Sequence, residues 1–122
     1  SEGVVYRLDA KVAETPRQRA AGFQYICSEV AQQWAILFVF QTTQRSKFHM
    51  RNVKQDLEIA FISDEGRFLE IKQMTLEQQL EPSRNYQAGQ AYKYALETVA
   101  GRLSGLSLNA EDWWLVLESW RS

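Results

Sequence analysis

Residues 57–71 read Leu-Glu-Ile-Ala-Phe-Ile-Ser-Asp-Glu-Gly-Arg-Phe-Leu-Glu-Ile, and this stretch decides the fold class. Leu57, Ile59 and Phe61 recur at every second position and so share one face of a strand. Ser63-Asp64-Glu65-Gly66 is a hairpin loop in which Gly66 supplies the positive φ of a tight turn. Leu69 and Ile71 then carry the core onto the return strand. A period of two on both sides of a short polar turn describes an antiparallel hairpin rather than a helix.

Working outward, Trp34 to Phe40 is apolar at every position, which predicts a central strand covered on both faces, with Gln41 to Arg45 as its turn. In the next segment Phe48 and Met50 alternate with Arg45, Lys47, His49 and Arg51, giving one apolar and one cationic face. Asn52 falls on the apolar side and is expected to be buried or half buried, and hydrogen-bonded if buried. Downstream, Thr75 to Ala91 is polar, contains Pro82 and is long for a connection, as functional lids are. Tyr92 to Val99 restores alternation, with Tyr92, Tyr94 and Leu96 on one face. One helical turn is expected around Leu103, and Asp112 to Glu118 reads as a closing strand. Upstream, Val4 to Leu8 reads as a first strand that leads through Ala10 to Ala13 into a helix. Thr15 is its N-cap, Pro16 takes the first helical position, Gln18 completes a capping box and Gly22 is the stop. Five or six strands with one or two short helices predict a β-rich α+β domain, a small mixed or antiparallel barrel-like sheet.

The chain has 122 residues, 45% of them hydrophobic, which is enough for one domain with its own core, spanning residues 1–122. Its 14 basic and 15 acidic residues give a net charge of -1, so no overall field recruits nucleic acid, and none is expected as a partner. The longest apolar run, Trp34 to Phe40, is far short of the roughly 20 residues of a membrane-spanning helix. Cys27 stands alone, which excludes an intrachain disulfide and suits a small buried hydrophobe. The chain opens on Ser1-Glu2 without Met, and removal of an upstream segment such as an export signal is expected.

Six blocks carry a family resemblance: TPRQRAAGFQ, AILFVF, FHMRN, LEIAFISDEGRFLEI, QMT and YALETVAG, in that order. Together they resemble the bacterial and archaeal family called domain of unknown function 192 (DUF192), over roughly residues 4–118. Phe48, Met50 and Asn52 fall on the family's Phe, Met and Asn, Glu58 on its Asp, and Met74 on a later Met. The departures are His49 for Trp, Asp56 for Pro, Ala35 for Gly, and Ala110-Glu111-Asp112 in place of a Gly-Asp turn. The resemblance implies a small β-rich domain with no established reaction and no cofactor, often made with an export signal, hence periplasmic or secreted.

The residues support several chemistries unequally. A Ser-His-Asp apparatus would rest on His49, the only imidazole, but Ser104 lacks a nucleophile-elbow context. Asp56, Glu58, Asp64 and Glu65 do not follow the spacing of a calcium loop, so no metal is assigned. Met50 and Met74 with Cys27 or His49 are the ligand types of a Cu(I) site, but alternation turns Met50 and His49 apart. Glu58 and Glu70 could be cross-strand neighbours of the kind a hydrolase uses. The cations Arg45, Lys47, Arg51 and Lys54, with His49, form a stripe suited to an anion or an acidic partner. The preferred ligand site is a pocket with Asn52 and Glu58 as its polar groups and Met50 and Met74 as its apolar wall. The expected function is therefore a non-enzymatic binding or accessory protein of the cell envelope, with a small ligand or protein partner. The alternative is a hydrolase using Glu58 with a second carboxylate.

Overall fold

A computed structural model of the chain describes residues 6–24, 26–50, 52–75, 85–106 and Leu115. The hairpin read from residues 57–71 is present, with β4 (Leu57–Ile62) paired antiparallel to β5 (Phe68–Met74) and Gly66 at φ +92° in its turn. All six residues of β4 are buried. That strand is covered on both faces and lies between two neighbours, which is why its sequence is nearly uniformly apolar.

Among the described residues the main sheet has five strands. In chain order they are β1 (Ala10–Ala13), β2 (Ala35–Gln44), β4, β5 and β7 (Tyr92–Val99), and they lie side by side as β1-β2-β7-β4-β5. Among the described strands only β1 and β2 run parallel. A parallel pair needs a crossover, and residues 14–34 supply it with α1 (Pro16–Ala21) and α2 (Ser28–Ala31). A two-stranded ribbon of β3 (Phe48–His49) and β6 (Asn85–Tyr86) sits apart from the main sheet.

Helix α1 starts as its sequence dictates. The Thr15 hydroxyl accepts from the Gln18 N–H at 3.1 Å, and the Gln18 side chain accepts from the Thr15 N–H at 3.2 Å. These bonds satisfy two donors left over at the helix start. The helix has six residues and stops at Gly22, whose φ of 45° and ψ of -132° suit a residue without Cβ. So short a helix is held by what it packs against rather than by its own propensity.

The sheet carries a core on each face. On the first, Ile36, Phe38, Phe40, Ile59, Phe61 and Met74 pack with Phe23, Ala31, Met50 and Val53 from the connections. On the second, Leu37, Ala60, Ile62, Phe68 and Leu96 pack with Leu103, while Leu8 and Leu115 lie against them. Successive residues of β2, β4 and β7 therefore serve different cores.

The structure corrects the sequence reading at several points. The sheet is mixed and β-rich as expected, but open rather than barrel-like: among the described residues β1 and β5 each have one strand neighbour. The first described strand begins at Ala10, after an irregular stretch from Tyr6 to Asp9, and Val4 and Val5 lie outside the described residues. Strand β2 runs on to Gln44 because polar residues 41–44 continue the ladder beyond the core. Between Val39 and Gln44 its register against β7 shifts, so Tyr92 turns to the first face while Tyr94 and Leu96 face the second. Burial pushes the Tyr92 hydroxyl well above its ordinary pKa, and the hydroxyl donates to the Ser46 carbonyl at 2.6 Å. Of the expected closing strand Asp112 to Glu118, only Leu115 is among the described residues. Its N–H donates to the Gly66 carbonyl at 2.6 Å. The expected turn around Leu103 is present, as a 3-10 turn at Ser104–Leu106. Residues 76–84 of the long polar segment lie outside the description, as does Arg51.

Candidate functional site

The site begins with one residue of β7. Ala95, Glu97 and Val99 alternate along that strand, and Ala95 and Val99 belong to the first core. Glu97 thus projects into an apolar layer, opposite Ile36 of β2 and Ile59 of β4. It is 4% exposed and has no hydrogen-bond partner among the described residues. Burial alone pushes its carboxyl from an ordinary value near 4.5 up to about 8, so at neutral pH it is mostly protonated.

Glu97 lies in the floor of a cleft of about 210 Å³, enclosed by α1 on one side and residues 46–49 and 53 on the other. Its walls are the aromatic side chains Phe23, Phe38, Phe40 and Phe48. Phe48 meets Phe38 edge-on at 5.1 Å and Phe61 at 5.9 Å between ring centroids, so ribbon β3 is anchored to the sheet. The end of α1 closes the opposite wall. A Cβ at Gly22 would stand 3.4 Å from Phe38 Cζ and 3.9 Å from Glu97 Oε1. Arg19 stacks over Phe40 at 4.8 Å, and its Nη1 donates to the Val39 carbonyl at 3.1 Å and to the Glu14 carbonyl. Arg19 and Lys47 make the mouth cationic, with the His49 imidazole beside them, while the floor is a carboxyl in an apolar setting.

The residues singled out from sequence are divided among several places. Lys47 and His49 line this cleft. Arg45 is turned away to the Ala88 and Gly89 carbonyls, Lys54 is exposed, and Arg51 lies outside the described residues. Met50 and Met74 are both fully buried in the first core. Asn52 is exposed, contrary to expectation. It takes φ +60° in a turn closed by the Val53 N–H on the Met50 carbonyl, a conformation Asn tolerates, and its amide donates to Gln24 Oε1 at 3.1 Å.

Glu58 is buried on the second face, across the sheet from Met50 and Met74. Its carboxylate accepts from the Leu103 N–H at 2.9 Å, the Ser104 N–H at 3.3 Å, the Ser104 hydroxyl and Gln73 Nε2 at 2.7 Å. Burial raises its pKa, but these donors together outweigh burial and hold it below the ordinary value. The structure does not bring Glu58 together with Asn52, Met50 and Met74 around one pocket. Nor is Glu70 its cross-strand partner, because Glu58 opposes Gln73 while Glu70 opposes Phe61 and accepts from the Gly89 N–H at 2.6 Å. Cys27 is exposed rather than buried. No group of three or more His, Cys, Asp or Glu able to hold a metal occurs among the described residues, and no described helix is long and apolar enough to cross a membrane.

Glu97 was the residue sequence reasoning missed. The signal was present: in YALETVAG it sits between Ala95 and Val99, so its face is as apolar as the face of Tyr94 and Leu96.

An open mixed sheet with a parallel edge pair, two short helices and a ribbon over one face defines a small β-rich α+β domain. The chain belongs to the DUF192 family, described as "Uncharacterized ACR", whose model matches residues 1–113. Two solved structures share the fold. One is a protein of Sinorhizobium meliloti 1021 provisionally described as a transcription regulator, with TM-score 0.69 and 24% identity, covering 84% of this chain and 76% of that one. The other is a protein of unknown function from Novosphingobium aromaticivorans DSM 12444, with TM-score 0.68 and 20% identity, covering 84% of this chain and 70% of that one. No curated protein matches the sequence.

Proposed function

We propose that the protein is a non-enzymatic binding domain whose small ligand sits in the cleft between α1, β3 and the β2–β7 face. The observation that carries this reading is Glu97. A carboxyl that is 4% exposed in an apolar layer and has no hydrogen-bond partner among the described residues costs folding free energy, and natural cores seldom retain one that serves no purpose. Its position in the floor of an aromatic-walled cleft supports a ligand as the missing partner.

Glu58 supports no second reading, because its oxygens are already occupied by four donors. A regulator role, the provisional description of the Sinorhizobium protein, finds no support in a chain of net charge -1. Export to the envelope is an expectation that the family resemblance carries, and it is checked by locating the protein in fractionated cells.

The test is a thermal-shift panel of small metabolites on the wild type and on Ala20→Trp. Ala20 is exposed and lines the cleft, so the indole obstructs the mouth without entering a core. A ligand that raises the wild-type midpoint and fails to raise that of the variant supports the proposal. Hits indifferent to the variant, or no hit across the panel, overturn it.

A further inference from the structure

The cleft has two chemically distinct poles. Its floor holds the Glu97 carboxyl and the rings of Phe38, Phe40 and Phe48, while its mouth holds the Arg19 guanidinium and the Lys47 ammonium. These poles do not neutralise one another. Burial is the sole cause of the Glu97 perturbation, and no ion pair joins it to either cation. Along β2, Arg19 Nη1 is fixed at Val39, whereas Glu97 faces Ile36. Three residues of strand separate those positions by about 10 Å.

Each pole selects a different ligand group. Glu97 by itself is mostly protonated at neutral pH, but an ammonium placed against it favours the ionised form, which only accepts hydrogen bonds and is matched by an N–H donor; a cationic donor is further favoured by aromatic walls. The Lys47 ammonium is exposed, and the Arg19 guanidinium has donors beyond the Nη1 group that holds two carbonyls. Both suit an anion. A simple amine would meet two cations at the mouth with nothing to offset them, and a simple acid held at the mouth would leave the buried carboxyl on the floor unpaired.

Resting on the binding reading above, we infer that the cleft takes a small zwitterion, an ammonium and a carboxylate at the ends of a short aliphatic chain. The ammonium lies on Glu97 and the carboxylate on Arg19 and Lys47. With that strand separation taken as the scale of the cleft, charge-assisted hydrogen bonds of about 2.8 Å at each end leave about 4–5 Å between the ligand's charged groups. That separation suits an ω-amino acid of three to five carbons.

Calorimetric titration of the wild type with the series from glycine to 6-aminohexanoate tests the class, with butylamine and butanoate as single-ended probes. The expected result is tightest binding at 4-aminobutanoate or a neighbour, at least about tenfold tighter than either single-ended probe. Glu97→Gln and Lys47→Glu each weaken it by about tenfold or more. A pH series adds a readout that a merely apolar pocket would not give. Arg19 from α1 and Lys47 and His49 at β3 are the charged or titratable side chains lining the cleft with Glu97, while Ile36 and Ile59 flank it from β2 and β4. Because the ammonium requires the ionised carboxyl, affinity rises about tenfold per pH unit until about pH 8 and then levels.

Butanoate binding as well as the zwitterions overturns the inference, as does butylamine doing so. Affinity unmoved by Glu97→Gln, or no zwitterion binding at about 10 mM, overturns it too. If the zwitterions fail while another panel compound binds and is blocked by Ala20→Trp, the ligand class falls and the binding domain stands. If every hit ignores Ala20→Trp, both fall.

Discussion

Glu58 and Glu97 lie in neighbouring strands of one sheet, are both buried, and behave in opposite ways. Glu58, on the second face, accepts from two backbone N–H groups, a hydroxyl and an amide, and its pKa is lowered. Glu97, on the first face, has no hydrogen-bond partner among the described residues and is pushed up to about 8. The difference teaches that burial does not decide what a carboxylate is for; its donors do. Glu58 ties β4 to β5 and to the turn after β7, so it is part of the scaffold. Glu97 has no partner among the described residues and faces a cleft, which is the capacity the proposed ligand would use.

The sharpest way to break this comparison is to remove each carboxyl and measure folding by urea titration. Glu58→Ala should cost about 3–5 kcal/mol, because the Leu103 and Ser104 N–H groups and the Gln73 amide lose their acceptor inside the protein. A loss under about 1 kcal/mol would mean that water replaces the carboxylate freely, and the scaffold role would fall.

Glu97→Gln should do the reverse. Between its unfolded pKa near 4.5 and its folded value of about 8, the native chain holds a proton that the unfolded chain releases. Stability therefore falls as pH rises through that window and levels above it. Removing the titration should stabilise the protein by on the order of 3 kcal/mol at pH 7 and flatten the profile between about pH 5 and 8. Glu58 has the opposite sign: its lowered pKa contributes stability above the unfolded value, and that is lost as pH falls through the folded one. The wild type should thus be most stable near pH 5. A profile that is flat from pH 5 to 8 would show that Glu97 is solvated or paired.

How much of this was legible in the sequence follows from which forces are local. The capping box at Thr15 and Gln18, the Gly66 turn and the faces of Leu57, Ile59 and Phe61 all depend on neighbours within a few positions, and the structure shows each of them. The open sheet was not legible, because closure depends on which strands become edges. The face of Tyr92 was hidden for a related reason: a register shift against β2 reverses it, and the partner strand sets that shift. At the candidate site, Lys47 and His49 could be read from their alternation. For Glu97 the apolar face of Ala95 and Val99 was a signal, but a carboxylate between Leu96 and Thr98 resembles a solvated position until both faces of the strand are known to be covered.

A smaller perturbation probes the wall that joins the two features of the cleft. Gly22 has φ 45° and ψ -132°, and a Cβ there would meet Phe38 at 3.4 Å. Gly22→Ala should cost about 1–3 kcal/mol, from backbone strain and from a neighbour that must move by a few tenths of an ångström. The added methyl also lies close to Glu97 Oε1, so it should weaken any ligand held by that carboxyl. A variant as stable as the wild type, with unchanged binding, would mean that the end of α1 moves away from β7 at little cost.

Asn52→Ala carries the smallest expected effect and separates the cleft from the pocket first suggested by sequence. Asn52 is exposed, and its left-handed φ of 60° costs Ala more than Asn; the substitution also removes a hydrogen bond to Gln24. These losses together should amount to about 1 kcal/mol. Because the Asn52 side chain does not line the cleft, ligand affinity should stay within about twofold of the wild type, a free-energy change well below 1.4 kcal/mol. A tenfold loss of affinity at unchanged stability would return Asn52 to the site and move its polar end from β7 to the turn after β3. The comparison between the two glutamates would then concern folding only.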